Sequence, residues 1–205
     1  MKQRIFFLAS FLLAILLINS CTSEKLSESD WVMAPFVKVD EVNPVLNPNS
    51  NSVFFCPVRK DTVRWEEKDV FNPAAVVKDG KVYLLYRAED TVGKFAGTSR
   101  LGMAVSSDGL HFETLPQPVF YPDNDDQKQF EWEGGCEDPR IVEDENGTYY
   151  MTYTAYNGDK ARLFVATSTD LTNWTKHGSI FNKTEGGKFV AIWSKAGSIV
   201  AKQVG

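Results

Sequence analysis

The chain has 205 residues, 43% of them apolar and 24% charged, with a formal charge of −5. That length and composition suit an ordinary globular domain. An acidic chain lacks the electrostatic footprint of a nucleic-acid binder, so that class of partner is excluded.

From the N-terminus, Lys2 and Arg4 precede an apolar run from Ile5 to Ile18 broken only by Ser10, and then come Asn19, Ser20 and Cys21. A charged start, a short apolar stretch and a small residue before the cut predict a secretory signal over residues 1–20, too short to span a bilayer. The Ser20-Cys21 junction resembles a bacterial lipoprotein box, in which the thiol is acylated and becomes the mature N-terminus. Acyl chains hold a protein to a membrane at about 0.8 kcal/mol per buried CH₂. On this reading Cys21 is the lipidation site, and the protein sits in the bacterial cell envelope, periplasmic or surface-exposed. Residues 21–52 are then a tether and N-terminal lead, Ser- and charge-rich over Thr22 to Asp30, and 53–205 are the domain. Plain secretion with a chance cysteine is the simpler rival.

The rest of the chain repeats. Asn72-Pro73 returns 66 residues later as Asp138-Pro139. Gly80 and Tyr86, in the run Asp79-Gly80-Lys81-Val82-Tyr83-Leu84-Leu85-Tyr86, return 67 residues on as Gly147 and Tyr153. The run from Arg100 to Asp108 returns as Arg162 to Asp170, at an offset of 62 throughout. Drifting offsets place the insertions in loops. Aromatic-rich runs bounded by glycine turns read as strands, and no long segment after the N-terminus keeps apolar residues at helical spacing.

Several short strands per repeat and no helices predict an all-β propeller, with two blades and the start of a third at Trp193-Ser194-Lys195-Ala196-Gly197. Propellers close with about four to eight blades. The expectation is therefore a partial domain from a longer gene product, inactive in isolation; a complete small β-sandwich is the alternative.

Cys56 and Cys136 can pair after export or stay as buried free thiols, and spacing does not decide between these. There is no C-x-x-C or H-E-x-x-H, and His111 and His177 are isolated, so neither a metal nor a cofactor is expected.

Polar residues cluster at equivalent strand starts: Asn72, Asp138 and Lys195, with Arg87, Glu89 and Asp90 ending the Tyr86 strand and Arg140 two residues after Asp138. Strands of this kind begin near the central channel, so these side chains are expected to converge there. Carboxylates beside guanidinium groups, with aromatic faces nearby, suit a sugar. Glycoside hydrolysis needs one carboxyl to protonate the leaving oxygen and another to activate water; the residues supply a candidate for the first and do not identify the second.

Phe71-Asn72-Pro73-Ala74, Leu84 to Asp90, Gly135-Cys136-Glu137-Asp138-Pro139-Arg140-Ile141 and Tyr150 to Tyr156, taken in order, resemble glycoside hydrolase family 130 over about Val53 to Val200. The resemblance implies a five-bladed β-propeller and activity on β-mannosides, as a β-1,2-mannosidase or a β-mannoside phosphorylase. It implies that Asp138 is the general acid, with inversion and with the proton passing through a hydroxyl of the bound mannose. It places Asn72, Arg87 and Arg140 in the mannose site, and Arg162 and Lys195 at basic positions that face phosphate in phosphorylases.

Each assignment has a plain rival. Asp138 and Asn72 can be turn residues before proline, Arg140 can pair with Glu137, and Arg87 with Glu89 or Asp90. Arg162 has a twin in Arg100, which points to structure, and Lys195 is solvent-exposed by default. Trp65, Trp132 and Trp193 read as packing residues. Glu131, Glu133 and Glu137 either crowd Asp138 and raise its pKa or form a solvated loop.

The chemistry leaves two enzymes open. A phosphorylase makes a sugar phosphate that is easily lost outside the cell, so the export signal favours an inverting mannoside hydrolase over a phosphorylase using inorganic phosphate. Related propeller enzymes acting on arabinan or fructan lack the Glu-Asp-Pro-Arg context. A sugar-binding lipoprotein without chemistry, or an inert fragment, is the non-enzymatic alternative.

Overall fold

The computed structural model describes residues 37–201. The chain divides into a unit over Met1–Val39 and a unit over Asp40–Gly205, and every element described here belongs to the second. The signal segment 1–20, Cys21 and the first half of the region assigned as tether and lead, residues 21–36, lie outside the described residues.

A short hairpin comes first, β1 (Phe54–Cys56) with β2 (Asp61–Val63). Two antiparallel four-stranded units follow, and they are the two sequence repeats. The first holds β3 (Asp69–Lys78), β4 (Lys81–Glu89), β5 (Ser99–Ser106) and β6 (Glu113–Thr114); the second holds β7 (Gly135–Glu143), β8 (Tyr149–Tyr156), β9 (Ala161–Ser168) and β10 (Thr175–Ser179). One helical turn, α1 (Lys128–Glu131), lies between them. Ser106 and Asp108 close the turn after β5 as Ser168 and Asp170 close the turn after β9, each aspartate accepting backbone N–H bonds two and three residues on.

Both units carry the same bulge in their first strand. The β3–β4 register shifts between Phe71 and Ala74, and the β7–β8 register between Glu137 and Arg140. Asn72 at φ 47° and Asp138 at φ 51° sit in these bulges, each followed by a proline. Asn and Asp enter the left-handed region more readily than other side chains, and proline offers no N–H to continue the ladder. The bulge re-aims the side chain that carries it.

The units meet where β5 and β7 run parallel for a single pair, Ser99 with Gly135. Gly135 has φ 117°, and a Cβ there would lie 2.2 Å from the Ser99 carbonyl oxygen, so only glycine permits the approach. Leu85, Leu101 and Met103 of the first unit pack with Cys136, Met151, Tyr153 and Phe164 of the second in one buried cluster. Each such side chain contributes about 1.5–3 kcal/mol on burial. A second cluster seats Phe54 and Val63 of the hairpin on Tyr86, Ala88 and Ala104.

Residues 193–201 form no strand, contrary to the expected start of a third copy. Ala196 takes φ 55°, the same left-handed region as Asn72 and Asp138 in the bulges of β3 and β7. The segment lies against the second unit: the Ser194 N–H donates to Ala161 O at 3.0 Å, and the Gly197 carbonyl accepts from Thr152 Oγ1 at 2.6 Å.

Candidate active site

The two bulges aim their side chains at each other. Asn72 Nδ2 donates to Asp138 Oδ1 at 2.8 Å, joining equivalent positions of the two repeats. Arg87, near the end of β4, lays its guanidinium over the Phe71 ring at 4.6 Å. It donates from Nε to Ser99 Oγ at 2.9 Å and from Nη2 to Glu89 at 2.6 Å and Glu137 at 3.1 Å, while Nη1 reaches Asp138 Oδ1 at 3.3 Å. Lys195 enters from the C-terminal segment, with Nζ at 2.9 Å from Glu137 Oε2 and 3.2 Å from Asp138 Oδ2. Lys68 completes the outer side, 2.8 Å from Glu89 Oε2.

Three carboxylates, Glu89, Glu137 and Asp138, thus interleave with three cations, Lys68, Arg87 and Lys195. Burial pushes the Asp138 carboxyl up, but the Asn72 hydrogen bond and the charges of Lys195 and Arg87 outweigh it, so its pKa falls below the ordinary aspartate value. Glu89 is lowered in the same way, burial being outweighed by the Lys68 hydrogen bond and the Arg87 charge. For Lys195 burial works downward, and the hydrogen bond and charge of Glu137, with Asp138 behind them, carry the pKa upward. The like-charge rise expected for Asp138 does not occur, because the crowding carboxylates have other partners. Glu131 is buried and bonded to Lys176 at 2.5 Å and to Tyr153 at 2.8 Å, and Glu133 is paired with Arg59. The solvated-loop alternative fails equally for Glu131, which is fully buried.

Of the predicted site residues, Asn72, Arg87, Asp138 and Lys195 come together. Arg140 does not join them: it is exposed, and Nη1 donates to the carbonyl of Pro139 at 2.7 Å. Glu137 turns instead to Arg87 and Lys195. Arg162 lies over the Phe130 ring and donates to the carbonyls of Val190 and Lys160, so it holds main chain. Its twin Arg100 is fully buried against Asp90 at 2.7 Å. Trp65 packs in the core, whereas Trp193 is 58% exposed. Cys56 and Cys136 are free and buried, and His111 and His177 bond to Asp108 and Thr167. Sequence reading missed Lys68 and Ser99. Ser99 had one faint signal, its place directly before the repeated arginine; Lys68 had none.

A family model described as β-1,4-mannooligosaccharide phosphorylase, that of glycoside hydrolase family 130, matches residues 38–205. The chain belongs to glycoside hydrolase family 130. It is 38% identical over 146 residues to a 1,2-β-oligomannan phosphorylase of Thermoanaerobacter sp. strain X514, a match covering 62% of this chain and 47% of that protein. A solved structure presented as showing that this family of mannoside phosphorylases contains hydrolases targeting β-1,2-mannosidic linkages in Candida mannan is 52% identical, with a TM-score of 0.78 over 82% of this chain and 47% of that one. A crystal structure of a putative glycosidase from Bacteroides thetaiotaomicron VPI-5482 is also 52% identical, with a TM-score of 0.78 over 81% and 48%. The chain therefore spans about half the length of the relatives it matches. The mostly β architecture follows that of the family over that half.

Proposed function

We propose that the complete protein is an exported, inverting β-mannosidase with a preference for β-1,2 linkages, built on a five-bladed propeller and anchored by lipid at Cys21. Asp138 is its general acid; Asn72 and Arg87 hold the mannose beside it. The observation that carries the reading is the Asp138 carboxyl, held at a strand bulge between Asn72, Arg87 and Lys195. A side chain aimed out of its strand by a left-handed bulge and held by three partners is preorganised for a ligand.

The same contacts favour water over phosphate as the attacking group. Lys195, a cation that would face phosphate in a phosphorylase, already bridges Glu137 and Asp138, and Arg162 is engaged with carbonyls. A phosphate dianion would have to displace two carboxylates to reach Lys195. The 52% identity to a structure presented with the finding that this family contains hydrolases targeting β-1,2-mannosidic linkages supports the same reading. Phosphorolysis is the second reading, favoured by the 38% identical phosphorylase and the description of the matched family model.

With its pKa lowered, Asp138 is ionised near neutral pH, and a proton donor must first acquire a proton. Sugar binding supplies the means. A pyranose over the carboxyl excludes water, and a hydroxyl bonded to Oδ2 competes with Lys195, which keeps Glu137 as its partner. Both changes raise the Asp138 pKa. The protonated carboxyl then passes its proton through that hydroxyl to the glycosidic oxygen.

Asp138→Asn tests the role. It keeps the shape and the acceptor for Asn72 but carries no proton to give. Loss of general acid catalysis lowers kcat on β-1,2-mannobiose by roughly 10²–10⁴. A 2,4-dinitrophenyl β-mannoside, whose leaving group needs no proton, loses far less. Equal loss on both substrates would make Asp138 a binding residue and remove it as the acid.

A further inference from the structure

One bond of Arg87 goes to no carboxylate. Its Nε donates to Ser99 Oγ at 2.9 Å, and that hydroxyl donates in turn to Glu89 Oε1 at 3.1 Å. A hydroxyl that accepts from one side chain and donates to another fixes the angle between them. Ser99 is fully buried, so it acts on the site only through these partners.

The backbone around Ser99 is clamped on every side. Asp90 Oδ1 accepts from the N–H groups of Gly93 and Thr98, both at 2.9 Å, and Arg100 Nη1 donates to Thr98 O at 3.1 Å. Asp90 and Arg100 are themselves paired at 2.7 Å, both fully buried. Both polar groups of the Thr98 backbone are thus held by one ion pair. The Ser99 N–H donates to Gly134 O at 2.9 Å, and Thr98 Oγ1 donates to Glu133 O at 3.0 Å, which ties the same segment to the second unit. Ser99 has no freedom to follow the guanidinium, so the guanidinium follows Ser99. The ion pair is a poor source of stability: Arg100 Nε and Nη2 are buried and make no hydrogen bond among the described residues. Its use is placement.

The second unit supplies an internal control. Asn157 stands in the place of Asp90, and its Oδ1 accepts from the N–H groups of Asp159 at 3.1 Å and Lys160 at 2.9 Å. Arg162 donates to Lys160 O at 3.2 Å, as Arg100 does to Thr98 O. The same turn therefore forms without an ion pair, because Asn157 is neutral and Arg162 is only half-buried. The residues that the turn serves differ as well. Ala161 replaces Ser99, Thr154 replaces Arg87 and Tyr156 replaces Glu89. The buried pair and the hydroxyl occur together in the unit that carries the guanidinium, and are missing together from the unit that does not.

We infer that Ser99, set in place by the buried Asp90–Arg100 pair, is a positioning residue for Arg87 and through it for the sugar and Asp138, a role that rests on the mannosidase reading above. With Nε anchored, the guanidinium plane is held with Nη1 toward Asp138 and Nη2 toward Glu89 and Glu137. Without the anchor the plane turns, and the two ends lose their aim together.

The test uses the complete gene product and β-1,2-mannobiose. Ser99→Ala is the substitution to make, since Ala161 shows that the equivalent backbone accepts alanine. It lowers kcat/KM about tenfold or more. The Arg87 charge also moves off Asp138, so the alkaline limb of the pH profile of kcat/KM moves to higher pH. Arg87→Lys keeps a charge but not the guanidinium fork, and in that background Ser99→Ala changes kcat/KM less than about twofold. Where that background is too slow to assay, the limb in the single variant decides. An unmoved limb, or an equal loss in both backgrounds, means that Ser99 only supports the fold and overturns the proposal. Wild-type protein inactive on mannobiose overturns the mannosidase reading instead.

Discussion

Arg87 is the residue whose removal the charge ledger predicts most sharply. It contacts Glu89 at 2.6 Å, Glu137 at 3.1 Å and Asp138 at 3.3 Å, with its side chain only 14% exposed. Arg87→Met keeps an unbranched side chain over the Phe71 ring and deletes the charge. Breaking a buried pair costs about 3–5 kcal/mol. Lys68 still serves Glu89, and Lys195 still serves Glu137 and Asp138, so the loss here is reduced to about 2–3 kcal/mol near pH 7. The pH dependence carries the proof. Glu89 and Asp138 have pKa values lowered by folding, so their stabilisation is present above the unfolded values of about 4 and is lost as pH falls through the folded ones. The gap between wild type and Arg87→Met in urea unfolding therefore narrows from about pH 7 toward pH 4 and below. A gap that stays constant over that range would mean that Arg87 stabilises by packing on Phe71, and the electrostatic account of the cluster would fall.

Two further outcomes follow from the same geometry. Asn72→Gly keeps the left-handed backbone but removes the amide that bonds Asp138. The Asp138 pKa then rises, and the alkaline limb of the pH profile of kcat/KM moves to higher pH; an unmoved limb would show that the contact does not tune the acid. Cys56 and Cys136 are buried free thiols, and burial pushes the Cys136 pKa further up. A thiol-specific disulfide reagent therefore leaves both untouched in the folded protein and titrates both in denaturant; fast reaction of either while folded would contradict their burial.

The repeat was legible because its two copies obey the same local chemistry. Asn72-Pro73 and Asp138-Pro139 impose the same bulge, and the Ser-x-Asp turns close both units in the same way. That symmetry is enough to predict that Asn72 and Asp138 converge. What stayed hidden was pairing over long distances in sequence. Glu131 reads as one acid among several, and only the fold shows it buried on Lys176, 45 residues away. The place of Lys195 in the repeat pointed to its meeting Asn72 and Asp138, but only the fold shows its pairing with Glu137, 58 residues away. Arg100 and Arg162 occupy equivalent positions, yet one is buried on Asp90 and the other bonds to carbonyls, because the residue equivalent to Asp90 in the second repeat is Asn157, which carries no charge.

The most direct test of the central claim is to identify the products formed from β-1,2-mannobiose by the complete gene product, with and without inorganic phosphate. The account predicts free mannose as the only product, at a rate phosphate does not change. Mannose 1-phosphate, formed only when phosphate is present, would contradict it and make the protein a phosphorylase.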